Sequence, residues 1–298
     1  MYYYAIATAL YVFGTCVFLA FPALRDIWQN VLGSNEYIES LYSAYGYGAR
    51  FGWSGFSGYR NTLDCTLSIA FLLCLRTKES SLINNKKLYI ILLSICFVGN
   101  MFYGRTGIIT SSICIFIGVL FLRRLSMKTM VIVLVTVTAF IGLIMYSKNK
   151  IPLINDWFIW ATTPFINLFS TGSFNNYSAS HIVEDMIFNP DLSTWIHGDG
   201  YYTEPSSGLH YMHTDVGFLR QLLFWGVGGT VLSYLTTFYS LKLINRKNRQ
   251  NGILSFFLAI ILVVFEIKGE VYFELLPIAI IIILWEQYSN KTILWNNN

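Results

Sequence analysis

Eight apolar runs dominate the chain, near residues 3–24, 61–76, 88–103, 106–122, 129–146, 216–241, 252–267 and 271–288. A bilayer core about 30 Å thick takes about 20 apolar residues of helix to cross. Only 12% of the 298 residues are charged and 55% are hydrophobic, against about 25% charged in a soluble domain. Too few polar residues remain to face all of these runs with water, so lipid must cover much of the surface. Within lipid the backbone satisfies its own polar groups as helices or closed barrels, and runs of this length select helices. The expectation is an all-α, polytopic integral membrane protein with about eight transmembrane helices. Several runs, at about 16 or 17 residues, call for a thin bilayer or for cover from neighbouring helices. Residues 1–298 read as a single transmembrane domain, with one large extracytoplasmic loop, 147–215, between the fifth and sixth spans.

Basic residues orient the spans. Arg76, Lys78, Lys86 and Lys87, then Arg123, Arg124 and Lys128, then Lys242, Arg246, Lys247 and Arg249, and finally Lys291, place twelve of the 20 Lys and Arg in short connections on one side. That side is expected to be cytoplasmic, with both termini on it. From Ile151 to Leu219 there is no Lys or Arg. The net charge of +4 is a topology signal and excludes nucleic acid as the expected partner. The apolar N-terminal run lacks the basic flank of a cleaved signal peptide, so it is expected to stay as a membrane anchor. Cys16, Cys65, Cys74, Cys96 and Cys114 all lie in apolar runs and form no CxxC or Cys/His cluster, so neither disulfides, nor a structural metal, nor a cofactor is expected.

Polar chemistry gathers in the stretch 197–229, HGDGYYTEPSSGLHYMHTDVGFLRQLLFWGVGG. All four histidines, His181, His197, His210 and His213, fall in the large loop. His213 or Asp215 can act as a general base toward a hydroxyl; the alternative is that Asp215 caps the sixth span. His210 lies in the same HYMHTD run. Gly198 and Gly200 suit a tight turn that brings backbone close to a ligand. Arg220, one turn into the sixth span, either pairs with a carboxylate or points into a polar cavity. Arg105, in a turn between the third and fourth spans, and Arg50, in a Gly-rich segment, either bind phosphate with a planar fork or snorkel to lipid headgroups. The uncharged aromatic segment 155–169 is expected to lie in the membrane interface or to re-enter the bilayer. Glu266, Lys268, Glu270 and Glu274 read as a solvated hairpin.

Three stretches, taken in order, carry a resemblance: ARFGWSGFSGYRN (49–61), FYGRTGII (102–109), and HGDGYY (197–202) followed by HTDVGFLRQLLFWGVGG (213–229). Together they resemble the lipid-linked polysaccharide polymerase and O-antigen ligase superfamily, nearest to O-antigen polymerases of the Wzy type, over residues 45 to 245. The resemblance implies a metal-independent inverting glycosyltransferase at the periplasmic face of a bacterial inner membrane. It implies an undecaprenyl-diphosphate-linked oligosaccharide as substrate, with a chain-length regulator and a flippase as further partners. Arg50 and Arg105 would hold the donor diphosphate, and His213, or Asp215 in its place, would stand beside the acceptor hydroxyl. The same motifs fit a ligase that moves finished glycan onto lipid A core. A flippase for the lipid-linked unit is the rival of another class.

Overall fold

The computed structural model describes residues 1–33, 51–56, 58–75, 85–120, 127–147, 155, 158–159, 162–163, 166–167, 169–170, 185–205, 208–245 and 249–296. The chain falls into two compact units, Met1–Asn175 and Asn176–Asn298. Apart from one short β-ladder and an isolated bridge, the described fold is all-α. Each of the eight apolar runs coincides with a helix. By length and composition two of them, Tyr2–Ala20 and Gly217–Ile244, are long and apolar enough to cross a membrane; Lys87–Tyr103, Arg105–Val119, Gly252–Glu266 and Tyr272–Leu284 are shorter apolar helices.

The first unit holds α1 (Tyr2–Ala20), α2 (Pro22–Leu32), β1 (Phe51–Gly52), β2 (Gly55–Phe56), α3 (Tyr59–Leu75), α4 (Lys86–Tyr103), α5 (Arg105–Leu120) and α6 (Met127–Ser147). The first apolar run stops sooner than its hydrophobicity suggests. Phe21, at φ −127° and ψ 80°, breaks the helix, and Pro22 starts a new one, because proline disfavours helical geometry in the residue before it but fits the first helical turn. Asn85 caps α4 by accepting from the Lys87 and Leu88 amides, so Lys86 and Lys87 sit in the helix, not before it.

α1 and α3 run antiparallel. Asn61 donates to the Tyr11 hydroxyl at 3.2 Å near one end, the Ser68 hydroxyl donates to Thr8 at 2.9 Å, and the Tyr4 and Phe71 rings meet edge to face toward the other. The third face is closed by small residues. A Cβ on Gly99 would lie 2.5 Å from Val12 and 2.7 Å from the Cys65 sulfur, which lets α4 approach both helices closely. At the α4–α5 turn Asn100 is fully buried. Its side-chain oxygen accepts from Thr62 at 2.7 Å and its amide donates to Ser111 at 2.8 Å, while Thr62 also donates to the Gly104 carbonyl at 3.1 Å. A Cβ on Gly107 would fall 2.0 Å from the Thr62 hydroxyl and 2.2 Å from Asn100. Gly104 and Gly107 of the GRTG turn thus serve close packing onto this polar knot.

The second unit holds α7 (Leu192–His197), a 3-10 turn (Tyr211–His213), α8 (Gly217–Asn245), α9 (Arg249–Glu266) and α10 (Tyr272–Asn296). Val216, Leu219, Leu222 and Leu223 form a buried cluster, with Met186, Phe188 and Tyr211 packed on it. A second core surrounds Phe257, Leu258, Ile261, Phe265 and Leu275. Outward faces stay apolar in both units, with Phe13, Leu134, Leu232 and Ile281 exposed.

Candidate functional site

The site is built where the loop 191–216 folds back onto the start of α8 and the α9–α10 turn. α8 is broken at Gly226, whose φ of 66° and ψ of 179° leave the helical region. Such a break frees carbonyls of the preceding turn. One of them, on Leu223, accepts the Asp199 amide at 2.6 Å. Gly198 has φ 68°, and a Cβ there would lie 2.5 Å from the Phe224 carbonyl oxygen; one on Gly226 would lie 2.5 Å from the Ile196 carbonyl oxygen. The HGDG turn and the helix break therefore interlock backbone to backbone. The close approach expected of Gly198 is made to α8 itself, whereas Gly200, at φ 74°, faces open space.

Asp199 is fixed by this contact and organises the loop above it. One carboxylate oxygen accepts from Thr194 at 2.8 Å and the other from the Tyr211 hydroxyl at 3.3 Å. A short hairpin follows, closed by the Thr203–His210 bridge and by the Glu204 amide donating to the Leu209 carbonyl at 2.8 Å. The chain then passes through Met212 and His213, both at positive φ, before entering α8. Thr214 ties down the entry to α8: its hydroxyl donates to the Met186 carbonyl at 2.9 Å and accepts from the Val216 amide at 3.3 Å. Asp215, read from the sequence as either a base or a helix cap, faces His210, with Oδ1 3.4 Å from Nε2. Both side chains are about half exposed. His213, the expected base, is exposed on its strained turn, and the imidazole that faces Asp215 belongs to His210.

Beneath this pair lies a buried polar network. The Arg220 guanidinium is 3.7 Å from Glu270 Oε2 and 5.4 Å from the centre of the Tyr202 ring. The Tyr202 hydroxyl donates to Glu270 at 2.9 Å, and the Gln221 amide donates to the same carboxylate. Glu266 accepts from the Tyr234 hydroxyl at 2.7 Å and from the Val271 and Tyr272 amides at 2.8 and 2.7 Å. A Cβ on Gly217 would fall 2.2 Å from Glu266 Oε2, so only glycine lets α8 start against this turn. The hairpin expected to be solvated is real as a turn, but Glu266 and Glu270 point inward, Glu266 being 5% exposed. Of the two readings of Arg220, the carboxylate pair is the one found, with Glu270 as partner.

Electrostatics follow from this geometry. Burial raises the Glu270 carboxyl above its ordinary range, against the hydrogen bond from Tyr202 and the charge of Arg220. Burial and the Arg220 charge lower His210, against the opposing pull of Asp215. At neutral pH His210 is therefore the neutral imidazole: with Nε2 directed at Asp215, Nδ1 is left to accept a proton. The arrangement can orient a base and hold it beside a fixed guanidinium.

Of the residues singled out in the sequence, His210, Asp215 and Arg220 come together here, and Gly198 supports the turn beneath them. Arg105 is the first residue of α5 in the other unit, half-buried at the GRTG turn. Arg50, His181 and Glu184 lie outside the described residues. Tyr202, Asp199 and Gly226 carry the site and were not singled out, and Glu270 was read only as part of a solvated hairpin; the signal for it was a carboxylate in a short turn between two apolar helices. Among the described residues no three His, Cys, Asp or Glu side chains are grouped to hold a metal ion. The chain matches no family model, no curated protein and no solved structure.

Proposed function

We infer that the protein is a polytopic inner-membrane glycosyltransferase that polymerises undecaprenyl-diphosphate-linked oligosaccharide units into O-antigen or a similar surface polysaccharide at the periplasmic face. In this reading all eight apolar helices cross the membrane, both termini are cytoplasmic, and the loop 147–215 is periplasmic. The observation that carries it is the His210–Asp215 pair held beside Arg220, a neutral base next to a fixed cation, at the end of the stretch Ile151 to Leu219 that holds no Lys or Arg. The acceptor hydroxyl attacks the anomeric carbon of the donor sugar and loses its proton to the base. The new C–O bond forms as the bond to diphosphate breaks, and the diphosphate leaves with the electron pair. Attack opposite the leaving group inverts the anomeric centre. The resemblance assigns the departing diphosphate to Arg50 and Arg105, a role for which the planar guanidinium fork is suited and which would neutralise its charge without a metal. His210 takes over as base from His213, with Asp215 fixing its tautomer.

Arg105→Ala is expected to abolish the long-chain ladder on a lipopolysaccharide gel while the protein remains in the membrane fraction. His210→Ala is expected to do the same and His213→Ala to leave the ladder standing. An unchanged ladder in Arg105→Ala overturns the reading. Single repeats capped onto core in that variant point to a polymerase, and accumulation of free lipid-linked polymer to a ligase.

A further inference from the structure

The helix α2 is absent from the apolar pattern, and its faces are sharply divided. At about 100° per residue, Leu24, Ile27, Trp28 and Val31 share one side, while Arg25, Asp26, Gln29 and Asn30 share the other. A soluble helix buries the apolar side and exposes the polar one. Here the apolar side is left exposed although Asp26 and Asn30 on the other side are exposed too. Leu24, Ile27 and Val31 are 44%, 62% and 68% exposed, and the buried residue is Gln29, at 5%.

Trp28 ties α2 to the β1–β2 hairpin. The Trp28 indole N–H donates to the Trp53 carbonyl at 3.0 Å, and the two rings lie 5.6 Å apart. Trp53, at the tip of the β1–β2 hairpin, stacks edge-on to Phe18 at 5.3 Å, and its ring fills the space above Gly14, where a Cβ would be 1.8 Å from the indole nitrogen. Along one straight helix Gly14 and Trp28 would be about 21 Å apart, too far for a single indole to touch one and stack on the other. The break at Phe21 therefore swings α2 off the α1 axis. With four charged or amide residues in eleven, α2 cannot itself cross a bilayer.

We propose that α2 is an interfacial helix, with Leu24, Ile27 and Val31 seated in the headgroup–acyl boundary of the bilayer that α1 crosses. The occupant follows from continuity: Leu10 and Phe13 on the outer face of α1 and Phe21 at the break are each 62–63% exposed, so the apolar surface of the span runs on into that of α2. An amphipathic helix of low overall hydrophobicity lies in such a boundary with its apolar side a few ångströms deep, and Trp28 and Trp53 sit where indoles are favoured. Through Trp28, α2 sets the depth of the hairpin that precedes α3. That holds the β1–β2 hairpin and the start of α3 level with lipid headgroups, the height at which a membrane-anchored diphosphate presents itself.

The inference rests on α1 crossing a membrane, and the test separates the two. Nitroxides are placed one at a time through Leu24→Cys, Asp26→Cys, Ile27→Cys, Asn30→Cys and Val31→Cys, with Leu10→Cys and Phe13→Cys on α1, in a Cys16→Ser background in phosphatidylethanolamine–phosphatidylglycerol nanodiscs. Collision with lipid-soluble oxygen should exceed collision with a water-soluble nickel chelate severalfold at 24, 27 and 31, with the order inverted at 26 and 30. Nickel dominance at 27 and 31 with oxygen dominance at 10 and 13 leaves the span in place and overturns the proposal. Low collision with both probes at 27 and 31 means protein covers the face, a second copy included, and overturns it as well. Nickel dominance at 10 and 13 removes the membrane reading itself.

Discussion

His210, half exposed in the loop, and Asn100, enclosed between helices, show two ways a polar residue responds to its surroundings. His210 resists protonation in the fold because burial and Arg220 disfavour its charge. The unfolded chain binds that proton more readily, so below the ordinary value of 6.5 the unfolded state gains protons first, and stability falls as pH falls toward the depressed native value. Above 6.5 the contribution is constant. A pH series of thermal unfolding in nanodiscs should show this loss, and His210→Gln should flatten it. Half exposure and screening keep the effect small, so the comparison with the variant matters more than the slope. Asn100 is the opposite case, uncharged and fully enclosed. Removing it in Asn100→Ala leaves buried hydroxyls of Thr62 and Ser111 short of a partner, at a cost of about 1–3 kcal/mol, read as a lowered unfolding midpoint of the purified protein.

At the scale of elements, the joint between the HGDG turn and the broken helix α8 anchors the loop that carries His210 and Asp215. Gly198 and Gly226 meet backbone to backbone, and each has a φ near +67° that a side chain strains. Gly198→Ala and Gly226→Ala should each destabilise the protein by roughly 1–3 kcal/mol. Because both act on one contact, the double variant should cost clearly less than the two added together; simple additivity in thermal denaturation would show the two sites to be independent. The sequence offered the glycines but not their purpose. Gly198 and Gly200 stand in a turn motif that a ligand could equally demand, and Gly226 sits inside an apolar run that hides a break. The same limit explains Glu266 and Glu270. Four ionisable residues in a short connection read as solvated, and only tertiary contact with Tyr234, Tyr202 and Arg220 turns them inward. α2 was missed because its eleven residues hold too few apolar positions to register as a span, while Pro22 did mark where it begins.

For the whole molecule, the eight helices were legible because apolar length alone dictates them: 61–76 became Tyr59–Leu75 and 252–267 became Arg249–Glu266. Which side of a membrane each connection faces depends on the asymmetry of Lys and Arg between them, and that asymmetry makes a direct prediction. Lys87 at the start of α4 belongs to a basic connection and is expected in the cytoplasm; Asp26 on α2 and Tyr201 in the loop belong to the opposite side. All three are exposed, while the native cysteines are buried or half-buried, so introduced thiols report with little background. In intact spheroplasts a membrane-impermeant maleimide should label Asp26→Cys and Tyr201→Cys but not Lys87→Cys, and lysis should make all three reactive. Labelling at Lys87→Cys before lysis, or protection at Tyr201→Cys, would reverse the orientation. It would then put the His210–Asp215 pair on the cytoplasmic face, where no polymerase of the proposed kind could use it.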